Sequence, residues 1–89
     1  MHPGARFHDL LTALRAGTEF LTGYLEGGRG YTTQDVVSGA ARLEQVCLEL
    51  ERLPLPDMFL LIGRASALST ARAAIARARE RLAGTVAVG

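Results

Sequence analysis

From Phe7 to Leu25 the apolar residues Phe7, Leu10, Leu11, Leu14, Leu21, Tyr24 and Leu25 return every three or four positions, the period of one helix face. The spacing predicts an amphipathic helix near residues 6–26. Gly17 and Gly23 each weaken it by about 1 kcal/mol relative to alanine, so it needs tertiary packing, and Gly17 suits a place where another helix comes close. Gly27 with Gly28 supplies a left-handed stop. A second segment is more regular: Val36, Ala40, Leu43, Cys47 and Leu50 keep the seam spacing of helices packed nearly parallel or antiparallel. Val37, Val46, Leu48 and Leu53 widen that seam, and Arg42, Glu44, Glu49, Glu51 and Arg52 form a wet face. This helix, near 33–53, should stop ahead of Pro54, because a residue before proline is pushed out of the helical region.

The third segment should begin at Pro56, with Asp57 suiting the positive end of the helix dipole. Leu61, Ala65, Leu68, Ala71, Ile75, Ala78 and Leu82 carry its stripe to a stop at Gly84, giving a helix near 56–83. Many of its residues are alanine, which makes a stiff, narrow helix that a neighbour can approach closely. The pattern as a whole predicts one all-α domain over residues 1–89, an up-down-up antiparallel bundle of three helices, dimeric or partner-bound, with residues 1–5 and 85–89 as flexible ends.

"MFLLI", residues 58–62, breaks the amphipathic rule. Five consecutive bulky residues at 100° apiece go right round a helix, and a three-helix bundle covers only part of such a ring. Either the first connection or the amino-terminal arm folds over the remainder, or the ring is a contact surface, because large exposed apolar patches are rare on monomers.

Composition narrows the field. Eighty-nine residues lie near the lower end of the size at which one core suffices, and 48% hydrophobic with 21% charged residues excludes the disordered and fibrous classes. No run approaches the ~20 uninterrupted apolar residues of a membrane span, and the first residues lack a signal peptide's basic and apolar regions, so the expectation is a cytoplasmic protein without a membrane partner. A single cysteine, Cys47, on the seam of the second helix reads as an inert core thiol. The net charge of +1 hides an asymmetry. Residues 1–56 carry five arginines against seven acids, whereas residues 57–89 carry five arginines against Asp57 and Glu80. The last helix should therefore lie against acidic neighbours, in its own bundle or in a second copy.

Local motifs resolve into structure rather than chemistry. "GGRGYTTQD", residues 27–35, has the glycines of a phosphate cradle but no lysine and no preceding strand. Thr32 and Asp35 instead have the spacing of a capping box, and Tyr31 with Val36 that of its hydrophobic staple; only Arg29, at the loop tip, keeps a claim to a contact role. "TTQDVVSGAARLEQV" is similar to the first half of a helix-turn-helix, but the seam passes Gly39 without changing phase, and Glu44, Glu49 and Glu51 would repel phosphates. His2, His8 and Asp9 make a poor metal set. Ser38, Ser66 and Ser69 have no histidine near them in sequence. The expectation is a non-enzyme with no catalytic residue, cofactor, metal or small-molecule substrate.

The function expected from these features is a small helical interaction module, an adaptor, inhibitor or assembly chaperone, that binds a protein partner or itself through Met58, Phe59, Leu60, Leu61 and Ile62, with Arg29 at its loop tip as a further contact residue. "PDMFLLIGRASALSTARAAIARARERL" resembles the last helix of the small hairpin chaperones that hold type III secretion needle subunits, in which a proline opens an alanine-spaced amphipathic helix. The resemblance covers under a third of the chain and implies an assembly chaperone, while the additional first helix departs from that family's two-helix plan. A competing class is a nucleic-acid-binding regulator using Arg72, Arg77, Arg79 and Arg81, although such domains are usually far more basic.

Overall fold

Three helices, α1 (Pro3–Glu26), α2 (Thr33–Arg52) and α3 (Met58–Val88), each packed on the other two, make the all-α bundle that the pattern predicts. The computed structural model describes residues 3–27, 30–55 and 58–88, and the side chains among them from Arg6 to Gly84. His2, Gly28, Arg29, Pro56 and Asp57, to which the sequence assigned roles, lie outside the described residues. The molecule is a rod of 48 × 19 × 19 Å. Its long axis matches the ~46 Å that the 31 residues of α3 occupy at 1.5 Å each.

Cross-helix contacts set the directions. A Cβ on Gly17 would sit 2.9 Å from Leu43 Cδ1, and one on Gly39 2.7 Å from Phe20 Cε1, so α1 and α2 run antiparallel with a glycine at each close approach. Arg72 meets Glu51 and Arg79 meets Glu44, so α2 and α3 are antiparallel as well. The up-down-up order follows. Gly17 thus has the close approach expected of it, and Gly39 is passed by an unbroken α2 rather than marking a turn.

The start of α2 is built as its sequence predicts. Thr32, extended at φ −91° and ψ 159°, accepts from the Asp35 amide at 3.0 Å, and the Thr32 amide donates to the Asp35 carboxylate at 3.4 Å. The end of α2 is set by proline: Leu53, ahead of Pro54, takes ψ 123°, and its amide closes the last turn on the Leu50 carbonyl.

Two helix ends differ from expectation. Among the described residues the left-handed conformation after α1 belongs to Gly30 at φ 80°, whereas the Gly27 amide still bonds the Gly23 carbonyl in helical fashion. At the far end α3 continues through Gly84 to Val88. A lone glycine that keeps a negative φ costs a helix about 1 kcal/mol without ending it, and Gly84 is not among the residues of positive φ.

The core runs the length of the rod. All five residues of the α2 seam, Val36, Ala40, Leu43, Cys47 and Leu50, are buried. Phe7, Leu10, Leu14 and Leu21 join them from α1, and Leu68, Ala71, Ala74, Ile75 and Ala78 from α3. Large leucines on α1 and α2 therefore meet a mostly small face on α3, which brings α3 close without overpacking. Ala65, placed on this stripe by its spacing, is exposed, and Arg64 turns inward beside it.

Candidate functional site

The helical rotation of 100° per residue divides "MFLLI" in two. Leu60 turns inward and packs on the core, and Leu61 is half-buried. Met58, Phe59 and Ile62 stay outside, at 70%, 84% and 63% exposure. The connection between α1 and α2 lies at the opposite end of the rod, so it does not fold over them. Further along the outer side of α3, Ala65, Ser69, Ala73 and Ala76 are exposed too. An apolar patch thus opens at the amino end of α3 and continues as a small-residue surface toward its carboxyl end.

This surface changes one statement made from the sequence. By length and composition alone, Met58–Gly84 is apolar enough to cross a membrane, although no uninterrupted apolar run in it is that long. The reason lies in the spread of alanines between few charges. Two of those charges, Arg64 and Arg72, are bonded to α2, which ties this helix into the bundle.

Four of the five arginines of α3, Arg64, Arg72, Arg79 and Arg81, make contacts within the fold. Arg72 and Arg79 each hold a carboxylate of α2 at 2.6 Å, Glu51 and Glu44 respectively. The Arg79 guanidinium, by hydrogen bond and charge, holds the Glu44 carboxyl below its ordinary value. Arg81 donates to the Leu25 carbonyl at 2.8 Å and lies 5.3 Å over the Tyr24 ring. Arg77 is exposed. The charge asymmetry of the chain is therefore satisfied inside one copy of the bundle, α3 against the acids of α2.

Arg64 escaped the sequence reading. From the start of α3 it reaches back to the carbonyls of Leu50, Glu51 and Leu53 at 3.2, 3.2 and 2.8 Å, closing the end of α2. The Leu50 carbonyl also accepts from the Leu53 amide, whereas those of Glu51 and Leu53 stand at the helix end, where carbonyls lack intrahelical donors. The signal was present: a stripe of Leu61, Arg64, Leu68, Ala71, Ile75, Ala78 and Leu82 alternates threes and fours more evenly than one through Ala65. An aromatic cluster also went unread. Tyr31 packs edge-on to Phe20 with ring centres 5.0 Å apart and lies 5.9 Å from Tyr24, anchoring the α1 to α2 connection.

Other candidate chemistry does not converge. His8 and Asp9 are exposed on α1. Cys47 is a free, buried thiol whose pKa burial raises, which keeps it protonated. An open groove of about 500 Å³ runs between α1 and α2, lined by Ala13, Ala16, Gly17, Phe20, Gly39 and Arg42 among others. A smaller one of about 250 Å³ lies between α2 and α3 over Cys47, Leu48, Ile75 and Ala76. Comparison with protein-family models, with curated proteins and with solved structures finds no significant match to this chain.

Proposed function

We propose that this protein is a helical protein-binding module whose contact surface is the apolar amino end of α3. The observation that carries the reading is the exposure of Met58, Phe59 and Ile62 together on one helix turn, more than three-fifths each, whereas the other exposed large apolar residues that the structure describes, Val37 and Leu48, stand apart on α2 and are less exposed. Burying an exposed Phe, Met or Ile side chain yields about 1.5–3 kcal/mol, so three on one helix turn form an effective anchor. Leu60, packed on the core, ties that turn to the bundle, and Leu61 beside it is half-buried. A rigid apolar helix face is what adaptors, small inhibitors and assembly chaperones offer a partner. The nucleic-acid reading has less behind it, since Arg72, Arg79 and Arg81 are engaged with Glu51, Glu44 and the Leu25 carbonyl.

The reading is tested by placing a photo-crosslinking amino acid at Phe59, at Ile62 and, as a control, at exposed Gln45 on α2, in cells that express the protein. Discrete protein adducts, to a second copy or to another protein, are expected from positions 59 and 62 and not from 45. No adduct from 59 and 62, or equal yield from all three, contradicts the reading.

A further inference from the structure

We propose that the occupant of this surface is a second copy of the chain, its α3 packed antiparallel on the first across a two-fold axis at Ser69. The proposal rests on the reading above and names the partner of the Met58 and Ile62 side of that surface, with Phe59 about 100° round the helix from Met58. On one side of α3 the positions Met58, Ile62, Ala65, Ser69, Ala73 and Ala76 fall within one narrow angular strip, and all are exposed. None of them is charged. The strip is ~27 Å long at 1.5 Å per residue, enough for a helix to lie along it.

Side-chain size along the strip decides the direction. The bulky residues stand at its amino end and the alanines at its carboxyl end. A two-fold contact pairs residue i with j and j with i, so with Ser69 on the axis Ala65 faces the partner's Ala73 and Ile62 faces the partner's Ala76. Large then meets small at Ile62 and Ala76, alanine meets alanine nearer the axis, and Met58 faces Glu80 at the rim. A parallel pair would set bulk against bulk at one end and leave a void at the other, which close packing disfavours.

The groove beside Ala76 is where an incoming isoleucine would seat. Its floor and walls are Cys47, Leu48, Ile75 and Ala76, and it is flanked by the Arg72–Glu51 and Arg79–Glu44 pairs. Both flanks are ion pairs, so the entering side chain meets an apolar floor and no lone charge. Leu48, one of the exposed large apolar residues of α2, gains a partner in the same step. Charge agrees with this register as well. Glu80 would lie at the level of the partner's Met58, and no arginine of α3 would lie at the level of another arginine.

The test uses the full chain with Cys47→Ala, so that an introduced thiol is the only one present, and adds Ser69→Cys or, off the axis, Arg77→Cys. Under mild oxidation with oxidised glutathione, Ser69→Cys is expected to give a disulfide-linked dimer and Arg77→Cys only traces, because a disulfide requires Cβ atoms about 4 Å apart. Light scattering of the native chain under reducing conditions should show a dimer, and Ile62→Asp a monomer of unchanged helical content; the native-cysteine arm keeps the test valid if Cys47→Ala folds poorly. A native chain that stays monomeric at high concentration overturns the proposal, as does cross-linking at 77 in preference to 69. Adducts from positions 59 and 62 to a different protein, or binding of a monomer to anionic lipid vesicles, also overturn it; the former leaves the protein-binding reading standing, while absence of both dimer and adduct removes the two together.

Discussion

α2 and α3 use apolar residues in opposite ways. In α2 the five seam positions are all buried and the outside carries Arg42, Glu44, Glu49, Glu51 and Arg52, with only Val37 and Leu48 as scattered large apolar residues among them. In α3 the buried side is made mainly of alanines, while Met58, Phe59 and Ile62 point outward. This arrangement is what the proposed contact surface rests on. The difference separates two demands on one sequence: amphipathic period builds the fold, and apolar surface beyond that period is available for contact.

Substitutions that attack the fold should be the most damaging. Leu43, buried between α1 and α2 against Gly17, should cost about 3 kcal/mol as Leu43→Ala, read as a loss of unfolding free energy in denaturant. Gly39→Ala comes next: the new methyl strikes the Phe20 ring, and the cost of overpacking should exceed the gain in helix propensity, leaving about 1 kcal/mol of net destabilisation. In a Phe20→Ala background the same change should stabilise, so a double-mutant cycle changes the sign. Arg64→Met keeps the aliphatic stem but removes the guanidinium donor from the carbonyls of Leu50, Glu51 and the cap residue Leu53, of which Leu50 keeps the Leu53 amide, with an expected loss of about 1–2 kcal/mol.

Smaller effects sharpen the comparison. Glu44 is ionised more readily in the folded chain because Arg79 holds it, so its contribution is present above the ordinary carboxylate range and is lost as pH falls through the lowered folded value. Glu44→Gln should leave the melting temperature less dependent on pH below about 4.5 than in the native chain, with little change at neutral pH, because the pair is exposed. Ile62→Asp should affect monomer stability least, within about 0.5 kcal/mol, since surface changes away from the core do little. An unfolding cost comparable to that of Leu43→Ala would show that Ile62 serves the core after all.

Most of the fold was legible because it rests on local periodicity. The α2 seam, the capping box at Thr32 and Asp35, the close approach at Gly17 and the pairing of basic α3 with acidic α2 follow from spacing and charge. What escaped depends on where one helix ends beside another. Arg64 looks like a surface residue until the carbonyls of Leu50 and Leu53 arrive next to it, and Phe20 lies off the α1 stripe until Gly39 opens a space for its ring. The proposed contact surface was half legible. Five bulky residues in a row show that some must lie outside, but only the phase of α3 shows that Leu60 is the one on the core and Phe59 the one most exposed.

The mass of the native chain in solution, followed by light scattering across a concentration series beside Ile62→Asp, tests the central claim most directly. A native particle of twice the 9.5 kDa chain mass, reduced to a single chain by Ile62→Asp without loss of helix, is the predicted result. Equal masses for the two proteins at every concentration, whether one chain or two, would contradict it.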